Sequence, residues 1–331
     1  MGVEAMHPAI RVIAGVLLSA GLAISVNSAV AETINFAHVA EPSDPRHKAM
    51  VAAADSLKAK TDGKYEMKVF PASQLGGEKE ITEAVGLGIV DAVFSGVAFV
   101  GEKYPPFAAM GAPYMFRSYD HFVAFTESPL FAEMAADYEA ETGDHVAGLI
   151  YTGARQVTAN WEIETPADMN GMKLRVPQAP LYMMFAEAVE ANATPIPFAE
   201  VYLALQQGVV EGQENPLTNI FAKKFYEVQS HVILTEHMTE ASIIIIGQHL
   251  WGKLNDEEKA IFDEVFAKAA ADASAGIRKS EVELADWFKE QGLTVVTPDR
   301  VAFQAAAKPL LTSDDVPWSS ELFDQIQAIQ E

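Results

Sequence analysis

The sequence predicts an α/β chain of two lobes, and three observations predict it. Its 331 residues are 50% hydrophobic, enough to bury more core than one ordinary domain carries. Past residue 31 the pattern runs β-α-β-α-β, an order that forces a parallel sheet covered by helices. A similar unit then recurs, with Gly88 and Gly208 at the helix ends 120 positions apart. Charge and cysteine use remove several function classes. The 46 acidic against 23 basic side chains give a net charge of -23, which repels nucleic acid and anionic lipid alike. With no cysteine there is no disulfide framework, thiolate metal site or lipid-modified N-terminal Cys.

Taken in order, residues 6–11 form a short, weakly basic leader, residues 12–24 are almost wholly apolar, and Ala29-Val30-Ala31 supplies a small-x-small cleavage pattern. The apolar stretch is too short for a comfortable membrane span and carries no polar stripe, as a buried helix would. Residues 1–31 therefore read as an export signal cut after Ala31, with Met6 an alternative start to Met1 because Glu4 sits oddly in a basic leader. Residues 33–39 then begin as a strand. Pro42-Ser43-Asp44-Pro45 makes a turn able to cap a helix over residues 46–60, where Met50, Ala53, Ala54 and Leu57 fall at helical spacing. Residues 65–70 alternate as a strand, a helix over 77–87 closes on Gly88, and residues 89–94 form a short apolar strand. In the second copy Val209-Val210-Glu211-Gly212 takes the place of Ile89-Val90-Asp91-Ala92. The run Ile243-Ile244-Ile245-Ile246 reads as a buried strand. A helix over residues 255–291 opens on Asn255-Asp256-Glu257-Glu258, bends at Gly276 and is long enough to bridge both lobes.

The search for catalytic chemistry returns absences. There is no G-x-S-x-G elbow, H-E-x-x-H pair, P-loop or G-x-G-x-x-G, and the eight histidines are scattered. His231, Glu236, His237 and Glu240 form the densest metal-like cluster, but the segment leads straight into a strand, so a solvated turn is favoured over a metal site. Gly76-Gly77 and Gly86-x-Gly88 lack the Lys and Ser/Thr that a phosphate cradle needs.

The polar content of the middle region stands out instead. Tyr151-Thr152-Gly153-Ala154-Arg155-Gln156 follows a strand, and Met172-Lys173-Leu174-Arg175-Val176-Pro177 is an alternating strand ended by proline. Both place an arginine at a strand end, where its planar fork suits a carboxylate. Glu211-Gly212-Gln213-Glu214-Asn215-Pro216 follows the second apolar strand, and all three segments can converge outside the carboxyl ends of a parallel sheet. A plain salt bridge from Arg175 to a neighbouring acid stays open on these grounds alone. Trp161 is either a core aromatic or a pocket wall.

A family resemblance bears on that choice. Lys173-Leu174-Arg175-Val176-Pro177, the run Pro197-Phe198-Ala199-Glu200-Val201-Tyr202-Leu203-Ala204-Leu205-Gln206, Gly212-Gln213-Glu214-Asn215-Pro216 and Lys224-Phe225-Tyr226-Glu227-Val228-Gln229 occur in fixed order. With Pro71-Ala72-Ser73-Gln74-Leu75-Gly76 and Thr152-Gly153-Ala154-Arg155-Gln156, they make the chain resemble the solute-binding proteins of tripartite ATP-independent periplasmic (TRAP) transporters. The resemblance implies a bilobed periplasmic binding protein: two parallel or mixed sheets flanked by helices, a long helix spanning both lobes, and hinge closure. The expected lobes are residues 32–152 with 241–280, and residues 153–240 with 281–331. It places the solute carboxylate on Arg175, with Arg155 and Asn215 assisting and Phe198 lining the closed pocket; Gln178, beside that proline, joins the candidate set. Gly96 stands where the sialic-acid branch of the family has a Glu, which argues against sialic acid. His38 and Glu41, in the first loop, either bind a hydroxyl or amine or serve at the start of the first helix. The ligand implied is a small carboxylate: a sugar acid, hydroxy or keto acid, or dicarboxylate. No enzyme activity, cofactor, metal or nucleic acid is implied; the partners are the small and large integral membrane subunits, the location the periplasm, and the protein a monomer. A binding protein of another transporter or sensor, or an enzyme using Glu214, is the alternative.

Overall fold

The computed structural model describes residues 31–311, 313 and 316–331, so the expected export signal lies outside them except for its last residue. The first half contains β1 (Glu32–Ala37), α1 (Pro45–Lys60), β2 (Tyr65–Phe70), α2 (Glu78–Gly86), β3 (Ala92–Gly96), α3 (Val97–Val100), α4 (Tyr119–Thr126), α5 (Pro129–Thr142) and β4 (His145–Ala159). Next come β5 (Lys173–Val176), α6 (Met183–Ala188), β6 (Asn192–Pro195), α7 (Val201–Gln206), β7 (Gly212–Pro216), α8 (Leu217–Ala222) and β8 (His231–Ile246). The chain ends with α9 (Gln248–Trp251), α10 (Asp256–Glu290), β9 (Thr294–Val296), α11 (Arg300–Leu311) and α12 (Ser320–Ala328). Among the described residues no helix is long and apolar enough to cross a membrane.

The strand order β2-β1-β3-β8-β4-β7-β5-β6 reads the same from both ends. Each end is a parallel trio, β2-β1-β3 or β6-β5-β7, and each trio's inner strand pairs antiparallel with one of two long central strands. Where two sheets are expected, hydrogen bonding is continuous, because β4 and β8 pair with each other along most of their length while β8 joins β3 on one side and β4 joins β7 on the other. Their register shifts between Val146 and Gly148, between Tyr151 and Gly153, and between Arg155 and Val157. Such bulges let one long strand change direction without leaving the sheet.

The internal repeat has an atomic basis. Gly88 and Gly208 end their helices at φ 72° and 68°, a left-handed turn that costs glycine nothing. Next, the Asp91 N–H donates to the Asn35 carbonyl (3.1 Å) while the Asn35 N–H donates to the Asp91 carboxylate (2.7 Å). Glu211 and Lys173 repeat this exchange: the Glu211 N–H donates to the Lys173 carbonyl (2.9 Å) and the Lys173 N–H to the Glu211 carboxylate (2.8 Å). This anchoring corrects the expected strands: Ile89 and Val209 lie in exposed turns, and the strands begin at Ala92 and Gly212, after the acid has been fixed.

Asn255 and Glu258 open α10 with a reciprocal pair of 3.0 Å hydrogen bonds, a capping box. The helix runs uninterrupted through Gly276, where a bend is expected. A Cβ on Gly276 would stand 2.8 Å from the Cβ of Pro45, so this glycine serves the close approach of α1. Phe262, Phe266 and Ala273 pack into one core with Phe36, Met50 and Phe94, whereas Leu284 and Phe288 pack into another with Leu205, Ile220 and Phe225. One helix thereby contributes to two separate cores, one under β1, β2 and β3 and the other against α7 and α8.

Candidate ligand-binding cleft

All five residues of β7, Gly212-Gln213-Glu214-Asn215-Pro216, are buried. The polar run expected just beyond a strand is itself the strand, wedged between β4 and β5. Its side chains satisfy one another, which makes their burial tolerable. Gln213 donates to Thr158 (3.0 Å), Asn215 donates to Gln213 (2.5 Å), and Asn219 donates to Asn215 (3.0 Å).

Arg155 lies within the 15-residue β4, not at a strand end, and is 2% exposed. Its Nε and Nη2 both reach the Glu214 carboxylate, the latter at 2.7 Å; Nη2 also donates to the Glu214 carbonyl (2.7 Å) and Nη1 to Glu240 (2.5 Å). The guanidinium lies over the Tyr182 ring, 4.7 Å from its centroid. Burial works against the charged form, but Glu214 and then Glu240 outweigh it, so Arg155 holds its proton more tightly than a free arginine. Burial likewise opposes ionisation of Glu214, yet Arg155 and the hydrogen bond from His237 keep it below the usual carboxylate range. Arg155 is thus a framework cation with two resident counter-ions.

Arg175 contrasts with it. The residue is 1% exposed and donates from Nε and Nη2 to a single carbonyl, that of Ile196, at 2.9 Å and 2.6 Å. Among the described residues its Nη1, which is buried, has no hydrogen-bond partner and no carboxylate bridges the guanidinium. Burial pulls its pKa down to about 9, and although Glu214 offsets part of this, nearby Arg155 pushes the same way as burial. A guanidinium held dry with one face unpaired is a standing demand for an anion.

Arg155, Arg175, Gln178, Phe198 and Asn215 line one cleft, whose cavity volume is about 40 Å³. His38 and Glu41 do not line it. His38 is buried, stacked on Phe94 with ring centroids 4.5 Å apart and bonded to His47, and burial followed by the His47 charge lowers its pKa to about 3. Glu41 pairs with Lys223 (2.5 Å), and α1 is capped by Asp44, which accepts from the Arg46 N–H. Gly96 lies beside the cleft, its N–H donating to Glu78 (2.8 Å). Trp161 packs against the core and lies outside the cleft.

Sequence reading missed Arg46, Glu78, Tyr182, Asn219 and Glu240, all of which line the cleft. Arg46 bridges Asp44 and donates to Asn219 (2.7 Å), joining opposite walls. His237 and Glu240 are not in a solvated turn; both are buried in β8, His237 on Glu214 (3.1 Å) and Glu240 on Arg155. Among the described residues no group of three or more His, Asp or Glu is placed to hold a metal ion. The one available signal for Glu240 was its position just before the apolar strand run, where a charge must be neutralised.

Known proteins resemble this chain in sequence and in fold. The sequence profile described as "Bacterial extracellular solute-binding protein, family 7" matches residues 36–314. The sialic acid-binding periplasmic protein of Vibrio cholerae is 31% identical over 299 residues, covering 90% of this chain and 92% of that protein. Among solved structures, the TRAP periplasmic solute-binding protein of Roseobacter denitrificans with bound L-galactonate aligns with TM-score 0.83 at 30% identity, covering 90% of this chain and 98% of that one. The counterpart from Haemophilus influenzae with bound L-gulonate aligns with TM-score 0.85 at 26% identity, covering 90% and 99%.

Proposed function

This chain belongs to bacterial extracellular solute-binding protein family 7, and on that premise we propose that it is the periplasmic receptor of a TRAP transporter for a small organic acid. The observation that carries the reading is the unpartnered Nη1 of Arg175, buried in the cleft. A ligand carboxylate would take that donor, while Asn215 and Phe198 bound the same space and Arg155, already neutralised by Glu214 and Glu240, stiffens the floor. Sugar acids are the favoured class, since L-galactonate and L-gulonate occupy the similar proteins from R. denitrificans and H. influenzae.

Residues 32–152 with 241–280 form one half in this reading, and residues 153–240 with 281–331 the other. Ligand brings the halves together, and the Arg46–Asn219 and Glu41–Lys223 contacts hold them shut. The closed form is what the small and large membrane subunits receive from a monomeric, exported protein whose leader ends at Ala31. The same pairing supports binding without catalysis, since Glu214, the one carboxylate proposed for an enzyme, is committed to Arg155 and His237.

The test is a thermal-shift screen of the mature chain against a library of carboxylic acids. A ligand at 100 times its Kd stabilises by about 2.7 kcal/mol. Arg175→Ala is expected to abolish the shift from the best acid; normal binding by that variant, or binding of uncharged solutes only, overturns the reading. Mass analysis of the recovered ligand should find it unchanged.

A further inference from the structure

We propose that a groove on the reverse face of the two central strands is a second anion site, separate from the cleft, which takes a small free oxyanion of two or more charges and opposes closure of the cleft. The site itself is independent of what Arg175 binds; its coupling to the cleft rests on the reading of two halves that close.

Strands β4 and β8 carry a cavity on each face. Thr152, Arg155 and Glu240 line the cleft, and their immediate neighbours Tyr151, Ala154 and Thr239 line a groove of about 470 Å³. Adjacent strand residues point to opposite faces, so the two cavities stand back to back. The arginines divide between them. Seven arginines and sixteen lysines make up the 23 basic residues. Apart from Arg11, which lies outside the described residues, Arg46, Arg155 and Arg175 line the cleft and Arg117, Arg278 and Arg300 line the groove, which no lysine joins among the described residues. Every described arginine thus faces one of two cavities. The planar fork suits oxyanions in a way that an ammonium does not.

The three groove arginines come from the turn before α4, from α10 and from the start of α11, and their side chains are 43%, 46% and 40% exposed, so a solute can reach them. Resident acids leave them with capacity. Arg117 donates to two neutral groups, the Gln327 and Ile329 carbonyls (2.9 Å each), and stands 3.7 Å from Glu331. Arg278 gives only Nη1 to Glu281 (2.9 Å), whose oxygens also serve the Ala154 N–H and the Tyr151 hydroxyl. Arg300 meets Glu236 through Nη1 (2.7 Å), while its buried Nε has no hydrogen-bond partner among the described residues. Three guanidiniums against two lining carboxylates, Glu236 and Glu281, leave the groove positive on a chain of net charge -23. An oxyanion bridging them gains several charge-assisted hydrogen bonds at once. The same net charge holds an anionic lipid surface away, which favours a free anion over a headgroup.

Arg117 and Arg278 fall in one proposed half and Arg300 in the other. An anion that bridges them draws the halves together behind the central strands and so holds the front apart, the reverse of what an organic acid in the cleft does. Linkage makes this antagonism mutual.

Calorimetric titration of the mature chain with pyrophosphate in low-salt buffer tests the site, since salt screens half-exposed charges. One site per chain is expected. Arg175→Met, which removes the unpaired cation of the cleft, should keep pyrophosphate affinity within about twofold, whereas Arg278→Gln with Arg300→Gln should cut it by about tenfold or more. Each single change should give part of that loss, with melting temperatures of the free variants showing that the fold holds. Saturating pyrophosphate should weaken the best acid from the thermal-shift screen by about fivefold or more in the parent, and leave its affinity unchanged in the double variant. No saturable binding of pyrophosphate, or binding lost in Arg175→Met but kept in the double variant, overturns the site. Acid affinity that is unchanged or raised by pyrophosphate overturns the coupling. Sedimentation with phosphatidylglycerol vesicles that the double variant abolishes, in a chain that ignores free pyrophosphate, assigns the groove to a headgroup and overturns the free anion.

Discussion

The backbone N–H of Ala154 donates a 2.7 Å hydrogen bond to the carboxylate of Glu281, tying β4 to the long helix just past the bulge at Tyr151 and Gly153. The Tyr151 hydroxyl donates to the same carboxylate at 2.9 Å. One acid therefore satisfies both sides of an irregular stretch of strand. Glu281→Ala leaves the Ala154 N–H without its acceptor and should cost about 1–3 kcal/mol in urea unfolding. Glu281→Gln keeps an acceptor there and should cost less than half as much.

Arg175→Met tests whether the buried guanidinium serves binding or folding. Two hydrogen bonds to the Ile196 carbonyl are lost, each worth about 1 kcal/mol, but the burden of an unpaired buried cation goes with them. The free energy of unfolding should stay within about 1 kcal/mol of the parent, while affinity for the best acid falls at least 100-fold.

The Glu41–Lys223 pair lies outside the cleft and partly shielded from water, so its loss should act chiefly on closure, with a smaller effect through the Phe198 ring, 5.0 Å from the Lys223 ammonium. Lys223→Met is expected to weaken every bound acid by about two- to tenfold, corresponding to about 0.4–1.4 kcal/mol, without reordering them. Stopped-flow measurement should find the change in the dissociation rate.

His38 predicts a dependence on acid. In the folded protein it stays neutral down to about pH 3, whereas the unfolded chain takes up its proton below about 6.5. The unfolded state therefore binds more protons between these values, and stability is lost as pH falls through that window, with no effect above it. Between pH 7 and pH 5 the parent should lose about 2 kcal/mol more than His38→Gln, read from denaturation curves at each pH.

What the sequence disclosed depended on whether a local rule carried the information. The capping box of Asn255 and Glu258 lies within four residues, and Gly88 and Gly208 mark their turns unaided. Arg175, Arg155, Phe198 and Asn215, which the family resemblance rather than a local rule singles out, share a cleft with Gln178. Strand β7 escaped because a buried Gln-Glu-Asn run violates the apolar signature of a strand and is stable only through partners far along the chain, such as Thr158 and Arg155. Glu240 and His237 escaped for the same reason: their neutralising contacts lie 85 and 23 residues away. His38 was misplaced since its neighbour Phe94 comes from another strand.

The palindromic strand order also governs how the molecule can be made. A nascent chain that has emerged only as far as Gln229 holds both parallel trios, yet β3 has no partner on its inner side and β4 lacks the strand it pairs with at greatest length. Neither trio can be joined to the other until His231–Ile246 leaves the ribosome and threads between them. Assembly is therefore a late, whole-chain event, and a fragment truncated before His231 exposes two bare strand edges that invite aggregation.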